Sequence, residues 1–89
     1  MDKYDYLILD IIHTYKETHH QLIRLGSIEQ SFWKRIEDDV ALNVGQAKIG
    51  ERITKLYLAG LIQNKNGYML TKKGREELAF QREEVSAVA

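Results

Sequence analysis

The sequence predicts a mainly helical α+β domain with one small β-hairpin, and three observations carry that prediction. Apolar residues recur at three- and four-residue intervals over most of the 89 residues. Asn66-Gly67 stands between two short apolar runs, and both residues tolerate the positive φ that a tight hairpin turn demands. The chain has no proline, no repeat and no low-complexity linker, which favours one continuous domain over 1–89.

The first helix is expected over 3–25, with a break around Thr18 as the open alternative. Ile8, Ile11, Ile12, Tyr15, His19, Leu22 and Ile23 describe one face of it, and Gly26 marks its end. Ser27 and Gln30 have the spacing of a capping box, so a second helix is expected over 28–41 with Ile28, Phe32, Ile36 and Val40 inward. Asn43 suits the left-handed end of that helix and Gly45 the cap of the next. Ile49, Ile53 and Leu56 form the inward stripe of a third helix over 45–59, closed by Gly60. A hairpin over 61–71 follows, with a two-residue tip at Asn66-Gly67. Thr71 then offers an N-cap oxygen to a last helix over 72–85, with Leu78 and Phe80 on its inner side and Ser86 to Ala89 frayed.

Composition excludes several functions. With no cysteine there are no disulfides, thiolate metal sites or cysteine nucleophiles, and a cytoplasmic location is the default expectation. The longest apolar stretch, Tyr6 to Ile12, is interrupted by Asp10 and is far shorter than the roughly 18 residues of a membrane span; no signal peptide is recognised. No phosphate loop, nucleophile elbow or converging acid and base appears, so no enzyme activity and no cofactor are expected. His13, His19 and His20 lack the spacing of a ligand set on one helix face. Trp33 and Phe32 suit core or dimer contacts better than a ligand pocket, and the acidic trio Glu37-Asp38-Asp39 suits a solvated face.

The net charge is zero, but its distribution is uneven. Residues 46–75 hold seven cations (Lys48, Arg52, Lys55, Lys65, Lys72, Lys73 and Arg75) and one acid, Glu51, while the segments on either side are acidic. Such asymmetry orients a protein on a polyanion even when the total cancels.

Three segments resemble a known superfamily. Ala41-Leu42-Asn43-Val44-Gly45 looks like the turn of a winged helix-turn-helix, and Ile49…Ile53…Leu56…Ala59-Gly60-Leu61-Ile62 looks like its recognition helix running into the wing. Gly67-Tyr68-Met69-Leu70-Thr71-Lys72-Lys73-Gly74 is similar to the second wing strand and following helix of PadR-like and MarR-like small regulators. The resemblance spans about Phe32 to Leu78. It implies a three-helix core plus a two-stranded wing and a C-terminal helix, with the third helix in a DNA major groove and the wing beside it.

Stepping 100° per residue from the inward stripe, Ala47, Lys48, Glu51, Thr54, Lys55 and Leu58 face outward and Arg52 lies on the flank. The expected DNA-contacting set is therefore Gln46, Ala47, Lys48, Glu51, Arg52, Thr54 and Lys55, with Lys65 and Asn66 at the wing tip and Lys72 and Lys73 beside it. Glu51 stands three residues after Lys48 and four before Lys55, so a surface network among them would neutralise the stripe.

The expected function is sequence-specific binding of double-stranded DNA, as in a small transcriptional regulator. The resemblance also implies a homodimer through the first and last helices, with Leu22, Ile23, Leu58, Phe80 and Val85 as contact candidates. The alternative is a winged helix used as a protein-interaction module without DNA binding, contacting its partner through Leu58, Trp33 and the acidic first half.

Overall fold

The computed structural model describes residues 2–37 and 48–88. Among these, four helices and one antiparallel two-stranded sheet follow the order α1 (Lys3–His19), α2 (Leu25–Glu37), α3 (Ile49–Leu58), β1 (Ile62–Asn64), β2 (Tyr68–Leu70) and α4 (Lys72–Val88). The α+β class is as expected. Val40, Asn43, Gly45, Gln46 and Ala47, and with them the proposed turn, lie outside the described residues.

Helix α1 is the centre of the molecule, packing against α2, α3, β2 and α4. Ile8, Leu9, Ile11 and Ile12 on α1 are buried together with Ile28, Phe32 and Ile36 of α2 and Ile49, Ile53 and Leu56 of α3. Leu61, Ile62, Leu70 and Leu78 close the core from the hairpin and α4. Burying such side chains contributes about 1.5 to 3 kcal/mol each before the entropy of ordering them is subtracted.

The first two helices differ from expectation at their junction. Helix α1 stops at His19, and His20 takes a left-handed backbone (φ 55°) whose N–H donates to the Lys16 carbonyl at 2.8 Å. Histidine enters this region more readily than most residues, which is why the end carries no glycine signal. Leu22 and Ile23 therefore lie outside α1. Ile23 makes an isolated antiparallel bridge to Tyr68, whose N–H donates to the Ile23 carbonyl at 2.7 Å. Gly26 and Ser27, expected as an end and a cap, are instead inside α2, which begins at Leu25.

The start of α3 also differs. Lys48 is the N-cap in a left-handed conformation (φ 46°), so the described helix begins at Ile49 rather than 45. Its end agrees with the expectation at Gly60. Leu61 N–H bonds the Leu56 carbonyl and Gly60 N–H the Tyr57 carbonyl, both at 3.0 Å, the paired pattern of a Schellman ending.

In the hairpin Ile62 pairs with Leu70, Gln63 with Met69 and Asn64 with Tyr68, so the tip holds three residues, Lys65, Asn66 and Gly67. The two-residue turn is replaced because the Asn64 side chain enters it: Asn64 Oδ1 accepts from Gly67 N–H at 3.1 Å, while Lys65 N–H donates to the Gly67 carbonyl at 2.9 Å. Asn66 is left-handed (φ 58°) and Gly67 has φ 143°. A Cβ on Gly67 would stand 2.6 Å from the Leu22 Cβ, so this glycine lets the tip lie directly on the segment after α1.

Thr71 caps α4 as expected, its hydroxyl oxygen accepting from Gly74 N–H at 3.1 Å. A Cβ on Gly74 would lie 2.0 Å from the Leu61 carbonyl oxygen, so a side chain there is incompatible with this approach of helix to hairpin. The helix continues to Val88, through most of the expected frayed end. Among the described residues no helix is long and apolar enough to cross a membrane.

Candidate nucleic-acid interface

The position of α3 is set by apolar packing and by an ionic cluster at the start of α1. Asp2 caps α1, its Oδ1 accepting from Asp5 N–H at 3.0 Å, and the Asp5 Oδ2 accepts in turn from Asp2 N–H at 3.4 Å. Asp5 falls three residues before Ile8, on the buried side of α1, and is fully buried. From α3, Arg52 Nη1 donates to Asp2 at 2.7 Å and to Asp5 Oδ1 at 3.1 Å, and Lys55 Nζ donates to Asp5 Oδ2 at 3.2 Å. The Arg52 guanidinium also lies 4.7 Å above the centre of the Tyr4 ring, and Tyr4 packs on Phe32.

The electrostatics of this cluster are mutual. Burial pushes Asp2 towards the neutral form, but the Asp5 N–H and the Arg52 guanidinium outweigh it and hold the Asp2 carboxyl below its ordinary pKa. Burial likewise opposes charge on Arg52, and the two carboxylates overcome it and raise its pKa. Asp2 and Asp5 were absent from the sequence-derived site. The signal that identifies them is the Asp2-x-x-Asp5 cap together with the place of Asp5 on the apolar stripe.

The expected site residues fall into three groups. Arg52 and Lys55 are engaged by α1, and Lys73 Nζ donates to the Ala59 carbonyl at 3.0 Å, supporting the end of α3. The Lys48-Glu51-Lys55 network is replaced, since the ion pairing of Lys55 is with Asp5, a buried carboxylate that needs a cation more than exposed Glu51 does. Lys48, Lys65, Asn66 and Lys72 are exposed, and among the described residues no ion pair engages these three lysines. Gln46 and Ala47 lie outside the described residues.

Thr54 faces the groove between α3 and the hairpin. Its hydroxyl donates to the Gly50 carbonyl at 3.1 Å, and with Ile53, Tyr57, Asn64 and Tyr68 it lines an open groove of about 380 Å³. Beside it Leu58 is outward as expected, 78% exposed, and Tyr57, which the sequence reading did not single out, is 53% exposed. Of the dimer candidates, Ile23 is fully buried in the core and so is removed from that set, while Phe80, expected on the inner side of α4 beside Leu78, is instead exposed. Side-chain placement of Val85 lies outside the described residues. Phe32 is a core residue and Trp33 is exposed.

Compared with known proteins, the chain matches no family model, no curated protein and no solved structure.

Proposed function

We propose that the chain is a winged-helix domain that binds double-stranded DNA, with α3 in the major groove and the hairpin as a wing against the adjoining backbone. The observation that carries this reading is the pairing of an outward, rigidly docked α3 with a hairpin whose tip presents Lys65 and Asn66 to solvent. The Ile23 bridge supports it, because it adds a third extended segment to the hairpin in the order Ile23, β2, β1. Arg52 acts here as a positioning residue: it ties α3 to α1 and so fixes the angle at which the helix meets the duplex. Lys48, Lys65 and Lys72 supply backbone contacts, and Thr54 stands between helix and hairpin to reach a phosphate or base edge.

Titration of labelled duplex at several salt concentrations tests this. Log affinity is expected to fall linearly with log salt, by about 0.9 per phosphate contact, and Lys48→Ala to flatten the line by about one contact. Failure of the wild type to bind duplex at low salt would overturn the proposal.

A second reading is favoured by one observation: Tyr57 and Leu58, adjacent on α3, are both exposed. Aromatic and aliphatic side chains on an outward helix face suit a protein partner. A protein complex lost in Leu58→Asp and retained in Lys48→Ala would select that reading.

A further inference from the structure

Arg24 brings a cation to the hairpin from outside the basic segment of the sequence. It follows Ile23, whose bridge to Tyr68 fixes the backbone on that side, and precedes Leu25, the first residue of α2. With Leu25, Asn64, Asn66, Gly67 and Tyr68 it lines an open groove of about 440 Å³. No carboxylate is among these lining residues, Arg24 is exposed, and among the described residues no ion pair engages it. Asn64 uses its Oδ1 to accept from Gly67 N–H, which leaves its amide NH₂ as the group for a ligand. Asn64 and Tyr68 line this groove and also the one beside Thr54, so the two adjoin across the hairpin.

We infer that this groove is a phosphate subsite, in which the Arg24 guanidinium and the Asn64 amide hold one phosphodiester of a duplex whose bases face α3. The inference rests on the duplex reading above and extends its surface past the hairpin to the start of α2. A guanidinium presents paired donors that match two phosphate oxygens, and neutral amides beside it add hydrogen bonds without repelling it. Lys65 stands between Asn64 and Asn66 in the chain and adds positive charge nearby.

Salt-dependent titration of labelled duplex with wild type, Arg24→Ala and Arg24→Lys tests it, with thermal unfolding of each variant as a check on folding. Arg24→Ala is expected to reduce the log–log salt slope by about 0.9, and Arg24→Lys to keep the slope while weakening affinity through loss of the paired geometry. A wild-type slope retained in Arg24→Ala, with Lys48→Ala still reducing it, overturns this subsite and leaves the duplex reading standing. No duplex binding by the wild type at low salt overturns both. Loss of slope in Arg24→Lys as well contradicts a contact made through charge.

Discussion

The α1-facing flank of α3 and the groove beside the hairpin both carry cations, yet they use them differently. On that flank, Arg52 and, in the last turn of α3, Lys55 face the carboxylates of Asp2 and Asp5, the latter fully buried. At the groove, Arg24, just before α2, and Lys65 in the tip are exposed beside neutral amides. A count of charges along the chain treats these regions alike, whereas folding commits the first pair to holding two helices together and leaves the second available to a polyanion. Charge on a sequence thus becomes charge on a surface only after internal partners are subtracted.

The largest difference between the regions is expected in stability. Asp5→Ala removes the buried acceptor shared by Arg52 and Lys55, and a loss of about 3 kcal/mol in chemical denaturation is expected, because it leaves the largely buried Arg52 guanidinium with the half-exposed Asp2 alone and a hole where the carboxylate was. Arg24→Ala is expected to change stability by less than about 0.5 kcal/mol, as for other exposed substitutions. Equal effects of the two would erase the distinction.

Next in size is the support of the tip. Gly67→Ala meets both a positive φ and the Leu22 side chain, and a loss of about 2 kcal/mol is expected. A neutral result would mean that the tip is not seated on Leu22. At the other end of the basic segment, Lys48→Asn is expected to stabilise the fold by about 1 kcal/mol, since asparagine accepts a left-handed backbone and caps helices well. The same change removes an exposed cation, so it separates stability from duplex affinity in one variant.

The smallest expected effect is in acid. The folded pKa of Asp2 lies below its ordinary value of 3.8. Its contribution is therefore complete above that ordinary value and is lost as pH falls through the folded one. With Asp2 about half exposed, less than about 1 kcal/mol is at stake. Asp2→Asn should flatten the acid limb of stability against pH by that amount, and an unchanged limb would remove Asp2 from the clamp.

The parts of the fold that were legible in the sequence are those set by local chemistry. The stripe Ile49, Ile53, Leu56, the glycine ending of α3 at Gly60 and the Thr71 cap each depend on a few neighbouring residues, and each stands where periodicity and capping rules put it. The end of α1 was legible only as an open alternative, a break around Thr18, because His20 adopts its left-handed conformation without the usual glycine and the apolar Leu22 and Ile23 continue the helical spacing past it. Ile23 is inward for a different reason, its pairing with Tyr68 some 45 residues later in the chain.

The candidate site was half legible for the same reason. Exposure of Lys48, Lys65 and Asn66 follows from helix phase and turn chemistry. The engagement of Arg52 and Lys55 depends on carboxylates about 50 residues earlier, and Arg24 reaches the hairpin only through the Ile23 bridge. Pairing over such separations leaves no periodic trace.

The most direct measurement is the salt slope of duplex binding for Lys65→Ala beside that for Lys55→Ala. Lys65→Ala is expected to lower the slope by about 0.9, while Lys55→Ala leaves it unchanged because that ammonium is held by Asp5. A slope lowered by Lys55→Ala and indifferent to Lys65→Ala would contradict the division of charge described here.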